Sequence, residues 1–189
     1  MSNLMLELSE KLDDALHSFE SVKNEETHFL QFKSDYKSAV NAIDSIRDSF
    51  HNAQPIPDKI KVWYLNKIEE IKKDSLLQAI REWRRQDFHG FEKLLVPIAS
   101  QISQVGMITA ENGPVIMSVE GAYRIINIDT PNERRVLLEQ GVIQTKVQLI
   151  NPPFEHRGEQ IVDKNPVKLL ELALDFYKNL VFEFKKEMI

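Results

Sequence analysis

The sequence predicts an α+β protein: an N-terminal helical bundle built on a long antiparallel helix pair, a small antiparallel β-sheet at about residues 105 to 150, and a C-terminal amphipathic helix. Three observations carry this expectation. Apolar residues recur chiefly at three- and four-residue steps within Met5 to Val22, Phe29 to Phe50, Ile60 to Trp83 and Leu169 to Phe184, which is the period of a helix face. Between these stretches β-branched residues cluster among turn signals at Asn112-Gly113-Pro114, Glu120-Gly121, Thr130-Pro131-Asn132 and Gln140-Gly141. With 189 residues, 42% of them hydrophobic and 28% charged, the chain suits a single domain around one core.

Each element follows from local chemistry. Met5, Leu8, Leu12, Leu16, Phe19 and Val22 form one stripe, predicting a first helix over residues 3 to 22. Asn24 is placed to cap a second, with Glu25 and Glu26 facing its positive end and Phe29, Phe32, Tyr36, Val40, Ile43, Ile46 and Phe50 as its apolar face. Pro55 and Pro57 close that helix. Asp58 is then placed to cap a third, carrying Ile60, Trp63, Tyr64, Ile68, Ile71, Leu76, Ile80 and Trp83 and ending near Gly90, so that 25 to 50 and 58 to 88 make the pair.

Pro97 interrupts any helix after Gly90, and Phe91 to Gln104 is open to either a strand or a helix. Val115, Met117 and Val119, and then the stretch from Val142 to Leu149, alternate with period two, as half-buried strands do. Residues 151 to 164 read as a polar loop in which His156 and Arg157 form a solvated turn. Asn165 caps the last helix, with Pro166 at its first position and Leu169, Leu170, Ala173, Phe176, Tyr177, Leu180 and Phe184 facing the core.

Several functional classes are excluded or disfavoured. Without cysteine there is no disulfide, thiolate metal site or cysteine nucleophile, which fits a reducing compartment. Met1 to Val22 mixes apolar residues with acids and lysine, unlike a signal peptide, and no stretch approaches the ~20 apolar residues of a membrane helix, so a cytoplasmic protein with no membrane partner is expected. A net charge of −5 disfavours a general nucleic-acid coat while allowing a local basic site. Phosphate-binding glycine loops, the Gly-x-Ser-x-Gly elbow and His-Glu-x-x-His are missing, and no cofactor or metal is called for.

One cluster carries chemistry. Arg81, Arg84, Arg85 and His89 gather at the end of the third predicted helix. Imidazole moves protons near neutral pH, and guanidinium holds a phosphate and stabilises charge developing on it. On an uninterrupted helix, positions 84 and 89 would point ~140° apart, whereas 85 and 89 would share a face. Either the helix unwinds before His89, or Arg85 is the partner.

Arg84-x4-His89, on the second member of a helical pair, resembles the signature of the HEPN superfamily, over roughly Asn24 to Gly90. The resemblance implies a metal-independent endoribonuclease, or a nucleotide-binding protein, with Arg84 and His89 as the catalytic pair. It implies a homodimer whose two sites face one groove, while Arg81 and Arg85 beside the pair are the phosphate-binding or supporting candidates that the cluster itself offers. A bacterial defence or toxin–antitoxin setting belongs to the same expectation. In the family the residue after the motif arginine is usually Asn, Asp or His, where this chain has Arg85. Glu26 and His28 are supporting candidates across the helix pair, since Glu25-x-x-His28 occurs once and cannot by itself make a di-iron site. The competing expectation is a non-catalytic interaction module that engages a protein partner through the β segment or the loop 151 to 164. In that case the arginines merely complement the helix dipole.

Overall fold

In the computed structural model, residues 3–23, 29–53, 55–86, 94–102 and 143–188 are described. The architecture is α+β, with five helices and two small two-stranded antiparallel sheets among those residues. No helix among them is long and apolar enough to cross a membrane. The strands and turns expected between Gln104 and Val142, and the cap expected at Asn24, lie outside the described residues.

Helices α1 (Asn3–Val22) and α2 (Phe29–His51) pack antiparallel along their lengths, with Ser49 near the end of α2 donating to Glu7 near the start of α1 at 2.7 Å. Met5, Leu8, Phe19 and Val22 meet Tyr36, Val40, Ile43, Ile46 and Phe50 in one continuous core, as the periodicity requires. The final helix, α5 (Pro166–Met188), crosses both and adds Leu169, Leu170, Ala173, Tyr177, Leu180 and Phe184. Its start is as expected: Asn165 Oδ1 accepts from the backbone of Val167 at 2.9 Å, and Pro166 occupies the first helical position.

The helix expected over 58 to 88 is two helices. Asp58 begins α3 (Asp58–Lys73) as its first residue rather than its cap, since Pro57 stands at the cap position. Asp74 then leaves helical geometry (φ −75°, ψ 121°), and α4 (Ser75–Arg85) begins at the next residue. The break occurs because the Asp74 carboxylate accepts from the backbone of Leu77 at 2.9 Å, satisfying a donor that the new helix leaves open. Along α3, Ile60, Tyr64, Ile68 and Ile71 are buried. Lys59 and Lys67 reach Met188 O (3.3 Å) and Glu183 (3.1 Å), so α3 runs antiparallel to α5.

Where α2 ends, an aromatic cluster closes the bundle. The Phe50 ring lies 5.0 Å from Tyr64, 5.5 Å from Phe184 and 6.2 Å from Trp63, and Trp63 stacks on Phe184 at 5.9 Å. The Tyr64 hydroxyl is directed at the carbonyls of Phe50 and His51 (2.9 and 3.0 Å) at the end of α2.

The segment left open between strand and helix is strand β1 (Leu95–Ile102), paired antiparallel with β2 (Ile143–Leu149) from Leu95↔Leu149 to Ile102↔Ile143. The register shifts between Pro97 and Ala99, where proline offers no amide proton to the ladder. Leu94, Leu95 and Leu149 join the sheet end to the helical core.

The polar loop expected over 151 to 164 contains a tight hairpin, β3 (Glu155–His156) and β4 (Glu159–Gln160). Arg157 (φ 53°) and Gly158 (φ 79°) both lie in the left-handed region, as a two-residue type I′ turn requires. Open space surrounds the position of a Gly158 Cβ, so Gly158→Ala pays backbone strain alone. We expect it to lower stability by about 1 kcal/mol, read from the urea midpoint of unfolding.

Candidate functional site

Helix α4 is strongly amphipathic. Leu76, Leu77, Ile80 and Trp83 are buried, with the Trp83 ring 6.2 Å from Tyr36 of α2, while Arg81 and Arg84 are half-buried and Arg85 is exposed. Gln86 ends the helix in extended geometry (φ −64°, ψ 136°), its amide donating back to Glu82 O. The helix therefore stops four residues before His89, and the fixed ~140° separation of an uninterrupted helix does not apply. Arginines in this last turn also sit favourably against the negative end of the helix dipole.

Arg84 is bound to its own fold. Its Nη1 donates to Asp44 Oδ2 at 3.0 Å and to Asp48 Oδ2, both on α2. Arg47 grips the same carboxylates, with Nε donating to Asp44 Oδ1 at 2.7 Å and Nη2 to Asp48 Oδ1 at 2.6 Å. Two guanidinium cations thus meet two carboxylates, and the group is formally neutral. Asp44 is buried (1% exposed), which is tolerable for a charge only because it is paired this way.

Burial pulls the affinity of Arg84 for its proton down, but hydrogen bonds and charge attraction from Asp44 and Asp48 outweigh it, so its pKa stands above the usual arginine value. Arg47 behaves in the same way. Tyr177 of α5 feels the same carboxylates: burial first, then Asp44, pushes its hydroxyl far up, so it stays protonated.

Arg85 makes no hydrogen bond or ion pair among the described residues. Arg81 leaves its buried Nε without a hydrogen bond there, as Gln86 leaves its Oε1. His89, Glu26 and His28 lie outside the described residues. Of the six residues singled out from the sequence, α4 thus brings Arg81, Arg84 and Arg85 into one turn and a half.

Asp44, Arg47 and Asp48 escaped the sequence reading. A signal existed: position 44 follows Val40 by four residues and Tyr36 by eight, so an acid occupies the core-facing stripe of α2.

A second polar cluster joins the hairpin to the α3–α4 junction. Asp74, its side chain 2% exposed, accepts from the backbone of Arg157 at 2.7 Å and of Leu77 at 2.9 Å. His156 Nδ1 lies 2.9 Å from Asp74 Oδ2, approaching off the hydrogen-bond line, so the contact is chiefly electrostatic. Burial raises the Asp74 pKa, but His156 and the two amides overcome it and hold the carboxyl below its usual value.

Arg157 reaches Glu70 (3.6 Å) and lies over the Phe176 ring, and the Ser75 hydroxyl bonds the backbone of Glu155. The solvated turn expected at His156-Arg157 is instead a docked one: His156 is only 11% exposed because a buried carboxylate and the Phe176 ring hold it. No group of three or more His, Asp or Glu side chains suited to a metal occurs among the described residues. Searches against protein-family models, curated proteins and solved structures returned no match to this chain.

Proposed function

We propose that this is a HEPN-like protein whose α4 terminus engages RNA or a nucleotide, with His89 and a guanidinium of the α4 terminus as the pair responsible for metal-independent RNA cleavage and with two copies forming the working unit. The observation that supports the reading most is the end of α4: three arginines in its last two turns, and an exit from helical geometry at Gln86.

In the reaction, the ribose 2′-oxygen attacks the adjacent phosphorus as its proton passes to a base. The P–O5′ bond breaks, and the leaving oxygen takes a proton, giving a cyclic phosphate and a 5′-hydroxyl. His89 serves as base or acid, and a guanidinium of the α4 terminus balances the charge gathering on the phosphoryl oxygens. Purified protein in the presence of a chelator is expected to cleave single-stranded RNA, and His89→Ala to slow cleavage by about 100-fold or more.

A second reading, a non-catalytic module binding a protein partner through the β segment or the loop 151 to 164, is favoured by the neutralised Arg84. It takes over if the wild type cleaves none of a varied RNA set.

A further inference from the structure

We infer that the Asp44–Asp48 pair withholds Arg84 from phosphate and that Arg85 is the guanidinium at this site that contacts it. The assignment rests on the reading of the α4 terminus as a phosphate-engaging site and deepens it.

The two neighbouring arginines differ in how their charge is balanced and in how open they are to an anion. Arg84 spends Nη1 on two carboxylates, and its charge is balanced within a closed group of two acids and two bases. A phosphate approaching it meets Asp48 as well, whose side chain is 41% exposed on the same group and repels it. Its partners fix where the last turn of α4 lies against α2, which makes Arg84, Asp44 and Asp48 positioning residues. Arg85, one position on, is exposed, carries a full unbalanced charge and has all five donors free among the described residues. A planar fork on a fixed helix end is the form in which arginine takes a phosphate through two parallel bonds.

The salt dependence of RNA binding separates the two roles, because each phosphate neutralised adds about 0.7 to the slope of log affinity against log salt for a single strand. A fluorescein-labelled single-stranded RNA 12-mer of mixed sequence is titrated with the full chain across a range of salt. Arg85→Gln is expected to weaken binding about tenfold and to remove about one phosphate from the slope. Arg84→Lys is expected to leave the slope unchanged. Asp48→Asn, at a half-exposed site where folding is least at risk, is expected to tighten binding and steepen the slope, because it releases positive charge; a purely structural role would leave the slope alone.

The assignment is overturned, with the wider reading intact, if the wild type binds RNA and Arg85→Gln leaves the slope unmoved, or if Asp48→Asn leaves it unmoved or makes it shallower. A wild type that binds no RNA at low salt overturns both together.

Discussion

Asp74→Ala is expected to cost about 3 to 5 kcal/mol, since two backbone amides lose a buried charged acceptor at roughly 1 to 3 kcal/mol each. One carboxylate serves two donors, the Leu77 amide that opens α4 and the Arg157 amide in the hairpin turn, and lies 2.9 Å from His156 Nδ1. Alanine leaves both amides without their acceptor, and the loss of the helix cap alone accounts for about 1 kcal/mol. Urea unfolding reads the total. Hydrogen exchange at the Leu77 and Arg157 amides should rise together, and an unchanged rate at Arg157 would show that the hairpin is held by something else.

The pH dependence has a definite sign. Because the Asp74 pKa is depressed in the folded state, its contribution is present above the unfolded value of about 3.9 and fades as pH falls through the lower folded value. Acid denaturation of the wild type should therefore include a component below pH ~4 that Asp74→Asn lacks.

Phe50→Ala is the second large effect, again about 3 to 5 kcal/mol. The Phe50 ring is fully buried and touches Trp63 and Tyr64 of α3 and Phe184 of α5, so the void opens where three helices meet and none can close it alone. The melting temperature should fall by many degrees. Phe50→Leu should recover much of the loss, because it restores most of the volume; equal losses for both variants would point to the ring–ring geometry rather than the filled space.

Helix stripes were legible because burial is written in their period: the face from Leu169 to Phe184 and the Asn165-Pro166 start stand as read. The break at Asp74 was missed because propensity alone lets a stripe run on. Yet the step from Ile71 to Leu76 is five residues, out of phase with a continuous helix, and Asp74-Ser75 is a capping dipeptide. The hairpin was invisible for another reason: strands of two residues hold no alternation to detect, and Arg157 takes a left-handed turn position usually given to Asn, Asp or Gly. At the candidate site, the gathering of arginines could be read locally. Their separation into one bound and one open guanidinium depends on acids 36 and 40 residues away, which no local pattern encodes.

The joint between α3 and α4 is a single residue wide, so it works as a phase setting as much as a bend. Removing Asp74 would take out the extended residue that breaks the helix, so α3 would run on into α4 and give α4 a new direction and a new rotation about its axis. That rotation would swing Leu76, Leu77, Ile80 and Trp83 off the core and sweep both terminal guanidiniums to another side of the molecule, which makes this the point in the chain least tolerant of a length change.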